Sequence, residues 1–217
     1  MKTIVAGIIG SFCTAGIFLI LGMAVQQQTL TPAQLAVLNT MSIVNVRNGQ
    51  GGQTPTLRIE KVDVQIVNGT GSSFTPNGVG NLVMGYNDLR LDDTDDRRGS
   101  HNIIAGIRNN YSKACGLNIG FENELHGDMA SLLSTENSKS MAWCSNVTGG
   151  YINTSLGMWS CIIAGSYNYN EGMNASICGG ELNRVYPGGL RAAISGGRLR
   201  NVYAQDNWAA GSLFQNN

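Results

Sequence analysis

The chain has 217 residues, enough for one domain and an N-terminal extension. Charged residues make up 13%, about half the usual share for a soluble domain, and Gly stands at 29 positions, close to double its usual share of about 7%. A net charge of zero gives no electrostatic case for nucleic acid, and a 42% apolar content argues against a disordered chain.

The first segment carries one charge, Lys2, followed by an uncharged stretch from Thr3 to Val25. Gly22-Met23-Ala24 places small residues where a signal peptidase would cut, so residues 1–24 read as a secretory signal. The alternative is an uncleaved anchor, since residues 3–25 are long enough to span a bilayer as a helix. Both readings place the remainder outside the cytoplasm, secreted or at the cell surface.

Residues 25–80 read as a capping helix and leading strands. Thr31-Pro32-Ala33-Gln34 has the form of a capping box with Pro at the first helical position. The helix either caps the domain or seeds a short coiled coil. Thr56–Val67 alternates apolar and polar residues with one slip, which predicts a strand pair or one bent strand. The Gly69-x-Gly71 pair lacks the helix a nucleotide loop requires.

Repeats begin near Asn81 and fill residues 81–217. Anchors closing short apolar runs fall at Gly85, Gly106, Gly120, Thr135, Gly150, Gly165, Gly180, Gly197 and Gly211, mostly 14 or 15 residues apart. An apolar residue stands three places before each: Leu82, Ile103, Leu117, Leu132, Val147, Ile162, Ile177, Ile194 and Trp208. Asn109, Asn123, Ser138, Asn153, Asn168 and Asn183 stand three places after, then Arg200 and Phe214. Gly127, Ala142, Gly157 and Gly172 mark a second turn.

A rung of about 15 residues buries no core alone; stacked about 4.8 Å apart, rungs bury a continuous file of side chains. Gly permits close backbone approach, and stacked Asn amides hydrogen-bond along the axis. The fold expected is therefore an all-β parallel β-solenoid with a short N-terminal helix. Its last rung, from Trp208, is atypical and suits a cap or a contact.

Asn174-Ala-Ser-Ile-Cys-Gly-Gly-Glu-Leu-Asn183 and Leu117-Asn-Ile-Gly-Phe-Glu-Asn123 resemble the repeats in the heads of YadA-like trimeric adhesins, and also the β-roll repeats of secreted bacterial proteins of unknown function. The resemblance spans roughly residues 42–217. It implies a left-handed β-roll that trimerises and binds matrix or other cells. The sequence departs from the adhesins in having no C-terminal run of alternating strands for a membrane barrel.

Asp88, Asp92, Asp93, Asp95 and Asp96 cluster in the 21-residue gap between the first two anchors. Such a loop offers a calcium site; the plain alternative is a solvated insertion neutralised by Arg97 and Arg98. Cys144, Cys161 and Cys178 recur every 17 residues against a rung of 15, so with Cys115 they are expected as buried free thiols. His101 and His126 sit in no HExxH motif, and no Gly-x-Ser-x-Gly occurs. Five Asn-x-Ser/Thr sequons, at Asn68, Asn110, Asn146, Asn153 and Asn174, fit an Asn-rich repeat. The reading is a non-enzymatic structural or adhesive module that self-associates, as a homotrimer or an end-to-end polymer. A calcium-dependent carbohydrate-binding or carbohydrate-active protein is the alternative.

Overall fold

A computed structural model describes residues 30–215. The signal or anchor reading of residues 1–24 lies outside the described residues. The chain divides into two compact units at Val64/Gln65, so residues 65–80 go with the repeats.

The first unit is one helix and one hairpin. Thr31 caps helix α1 (Pro32–Leu38): its Oγ1 accepts from Gln34 N–H at 3.2 Å, while Thr31 N–H donates to Gln34 Oε1 at 2.8 Å. This is the capping box read from the sequence. Strands β1 (Met41–Arg47) and β2 (Gln53–Ile59) pair antiparallel, joining Met41 to Ile59 and Ile43 to Leu57 on one face. The alternation over Thr56–Val67 thus gives one strand, ending at Ile59. Its slip coincides with Lys61 at φ 65°, which turns the chain out of the extended region. The pairing partner, β1, was not expected.

The second unit is the parallel β-solenoid. It opens with β3 (Leu82–Met84), β4 (Ile103–Ile107) and β5 (Asn110–Tyr111). Each full rung then gives one strand to a ten-stranded sheet and one to a seven-stranded sheet. Register advances by 15 residues through Leu132, Val147, Ile162 and Ile177, then by 17 to Ile194. These five side chains are fully buried, one above another. Burying each contributes about 1.5–3 kcal/mol.

The aliphatic file was read correctly there and one residue off elsewhere. At the other rungs the inward residue stands two places before the anchor: Ile104 is buried while Ile103 is 43% exposed, and Ala209 is buried while Trp208 is 38% exposed. Asn118, not Leu117, lies in the file, between Ile104 and Leu132. The cause is a bulge. Ile119 pairs with Leu133 but Gly120 pairs with Thr135, so Ser134, at φ 55°, is the extra residue that lengthens the rung to 15. Asn118 Nδ2 donates to Asn110 O at 2.9 Å, and its Oδ1 has no hydrogen-bond partner.

The seven-stranded sheet stacks a second inward file of Tyr111, Leu125, Ser140, Ser155, Asn170, Val185 and Val202. Between the sheets runs the amide ladder. Asn168 N–H donates to Asn153 Oδ1 at 3.0 Å, and Asn183 N–H to Asn168 Oδ1 at 3.1 Å. Each Asn Nδ2 in turn reaches a carbonyl of the next rung, as Asn153 to Gly165 O at 2.9 Å. The anchor glycines allow this spacing: a Cβ on Gly150 would lie 2.0 Å from Gly165 O.

The expected terminal cap is a strand reversal. Leu213–Gln215 folds back antiparallel on Trp208–Ala210 and ends the ten-stranded sheet. Phe214 therefore pairs with Ala209 and is no member of the amide ladder.

Candidate self-association surface and the acidic loop

Residues at the first and third positions of each ten-stranded-sheet strand point outward. Through the early rungs they are large and apolar. Leu82, Met84, Ile103 and Ile107 are 43–50% exposed and Leu133 is 37% exposed; Thr148 then interrupts the file, and Ile163 beyond it is 48% exposed. Single exposed aliphatics are ordinary; a continuous patch on a flat sheet marks a binding surface. Ten strands about 4.8 Å apart and two to six residues long make a face on the order of 600 Å², of which the first four strands, Leu82 to Leu133, carry the unbroken apolar part; each partner gives ~800 Å² to a stable interface.

Both ends of the solenoid are obstructed, on different sheets. The antiparallel strand Leu213–Gln215 lies across the C-terminal end of one. The loop of residues 86–99 lies along β5, the N-terminal strand of the other. There Tyr111 N–H donates to Asp96 O at 2.8 Å, and Gly99 N–H donates to Tyr111 O at 2.9 Å.

That loop holds the five aspartates. Asp92 accepts from the Thr94 hydroxyl at 2.6 Å, which holds its carboxyl below the usual range. Asp95 pairs with Arg97 and Asp96 with Arg98, both at 2.9 Å, and the Arg98 hydrogen bonds lower the Asp96 carboxyl. Asp88 contributes its backbone carbonyl to Arg97, and Asp93 sits at φ 55° in the turn. Arg90, its side chain 8% exposed, pins the loop to the rungs through Arg108 O and Glu122 O. Among the described residues, no three His, Cys, Asp or Glu side chains converge on a point that would hold a metal ion. The aspartates are spread along the turn, three of them engaged by arginine or threonine.

The sequence did not reveal the surroundings of the histidines. His101 Nε2 accepts from Asn68 N–H at 3.2 Å, and its Nδ1 meets Ser73 O at 3.1 Å, fastening the 68–73 loop. His126 Nδ1 meets Ser112 Oγ at 2.6 Å, and its Nε2 lies 3.8 Å from Glu124. A 14-residue register brings Ser112 beside His126, a signal readable from the anchors. The arrangement is not that of an acyl-transfer site, because the adjacent backbone donors are spent: Ser112 N–H on Leu125 O, and His126 and Gly127 N–H on Ser140 O. Burial pushes the His126 pKa down, against the pull of Glu124 and Asp96.

Cys115, Cys144, Cys161 and Cys178 are free thiols, as expected, but they are not buried. Cys161 opens its strand at an outward position, Cys178 follows directly after Ser176–Ile177 and is exposed, and Cys115 and Cys144 occupy a corner. Buried positions of both sheets are filled by aliphatic residues, Ser, Asn and Tyr111 instead. Burial raises the Cys115 and Cys161 thiols. Of the sequons, Asn68, Asn110 and Asn153 are buried in the fold's own hydrogen bonding.

Comparison with known proteins returned no matching family, no matching curated protein and no matching solved structure. Among the described residues, no helix is long and apolar enough to cross a membrane.

Proposed function

We propose that this chain is a non-enzymatic structural or adhesive module, exported from the cell, whose solenoids associate side by side into a homotrimer. The observation that carries the reading is the outer face of the ten-stranded sheet, with Leu82, Met84, Ile103, Ile107 and Ile163 uncovered. Burying apolar surface is the driving force such a face offers. The obstructed ends favour lateral contact over end-to-end growth, since in-register stacking requires both sheets to continue. Adhesion is the use to which a rigid, repeated surface is put in the adhesin heads these repeats resemble.

The test is sedimentation velocity on the full chain and on an Ile103→Lys/Ile163→Lys variant, with circular dichroism to check folding. The reading expects a trimer that dissociates to a folded monomer in the variant. A monomeric parent chain, or a variant that remains a trimer, contradicts it.

A further inference from the structure

One corner of the solenoid repeats a left-handed residue on every rung. His101, Cys115, Met129, Cys144, Trp159 and Asn174 occupy it, with φ from 52° to 62°. Each is fixed by the same bond to the rung before: Cys115 N–H to Ser100 O at 3.1 Å, Met129 N–H to Ala114 O at 2.9 Å, and Cys144 N–H to Asp128 O at 3.0 Å. Equal backbone angles and equal bonding send the side chains out in the same direction. Their Cα atoms follow the rung spacing of about 4.8 Å. Three successive rungs therefore carry a thiol, a thioether and a thiol in one file.

We propose that Cys115, Met129 and Cys144 form a site for one monovalent soft cation of the copper(I) class, seated against Met129 with a flanking cysteine sulfur as second ligand. Thiolate and thioether sulfur select copper(I) over the hard cations. A tetrahedral zinc site needs four ligands closing around the ion, which a straight file does not provide. Two sulfurs on opposite sides of a metal, each at about 2.3 Å, stand roughly 4.6 Å apart, close to the rung spacing. Binding replaces one thiol proton, which leaves to solvent, so a thiolate and a monovalent cation form a neutral pair.

The surroundings suit a cation. Asp128 accepts from Ala114 N–H at 2.9 Å, which holds its carboxylate beside Cys115 and Met129. Phe74, Asp128 and Trp143 line a recess at the same corner. His101 heads the file but is not counted as a ligand, because both ring nitrogens are engaged by Asn68 and Ser73; the Cys115 thiol donates only a long bond of 3.6 Å to Ser73 O, which is released when the thiol proton is replaced by the cation.

The experiment is calorimetric titration with silver(I), a redox-inert probe of the same class, on the full chain carrying Cys13→Ser, Cys161→Ser and Cys178→Ser. One equivalent should bind. Met129→Leu, which preserves volume, should weaken binding at least tenfold, Cys115→Ser about tenfold, and Cys115→Ser with Cys144→Ser should abolish it. If the triple-serine chain does not fold, the same double substitution in the otherwise native chain should remove one equivalent. Absence of binding, or affinity unchanged by Met129→Leu, overturns the proposal. So does loss of no equivalent from the native chain.

Discussion

At the scale of single residues, the solenoid is held by side chains that bond to the next rung. Asn153 is typical. It accepts from Asn168 N–H and donates to Gly165 O, and it is fully buried. Asn153→Ala would leave the Asn168 N–H without a partner, at a cost of about 1–3 kcal/mol, while Gly165 O keeps the Tyr151 N–H. Thermal unfolding should show a loss of roughly 1–3 kcal/mol, whereas Asn174→Gly, at an exposed corner whose φ of 57° Gly adopts freely, should change stability by less than about 1 kcal/mol. Gly150→Ala should destabilise by a similar amount, since its Cβ meets Gly165 O and its φ is +88°. These residues were legible because a backbone that must approach its neighbour or accept from it leaves only Gly or Asn at a fixed spacing. Asn118 was not legible. Its neighbour Leu117 carries the apolar character, and Asn118 is inward because it pairs in register with Ile104 and Leu132 on a rung that lacks the extra residue later rungs carry before the anchor.

Among elements, the 86–99 loop acts as a lid on the edge of the seven-stranded sheet. Its charges discourage further strand pairing there. Arg90 is the pin, so Arg90→Ala should speed amide exchange at Tyr111, whose N–H is bound to Asp96 O. Calcium should leave the unfolding temperature unchanged; a rise of several degrees, lost in Asp92→Ala, would support the calcium reading instead. His126 lies between this loop and the rungs, and its folded pKa is below the ordinary 6.5. The neutral form is therefore favoured by the fold. The His126 contribution is intact above pH 6.5 and is lost as pH falls through 6.5 towards the lowered value. Unfolding temperature measured from pH 7.5 to 5 should fall, and His126→Gln should flatten the part of the fall between 6.5 and the folded pKa. The hairpin of the first unit was half legible. The alternation of Thr56–Ile59 shows a strand, but Met41–Arg47 hides its period because Ile43 and Val44 are adjacent apolar residues.

For the whole molecule, repetition makes the fold readable and the function obscure. Fifteen residues recur because each rung must meet the same demands from its neighbours, and those demands dominate the sequence. The outward positions escape them. Their apolar run from Leu82 to Leu133 was hidden in the sequence because outward Ile103 and inward Ile104 are chemically alike. Free cysteines point outward for the same reason: no rung requires them inside.

The central claim is that stacked rungs keep one aliphatic file dry and their cross-rung bonds closed. Amide hydrogen exchange, read residue by residue, tests it most directly. Asn153, Asn168 and Asn183, whose N–H groups are bound to the rung before, should exchange only through global unfolding and at nearly the same free energy. Exchange at these three positions as fast as at an exposed turn would contradict it.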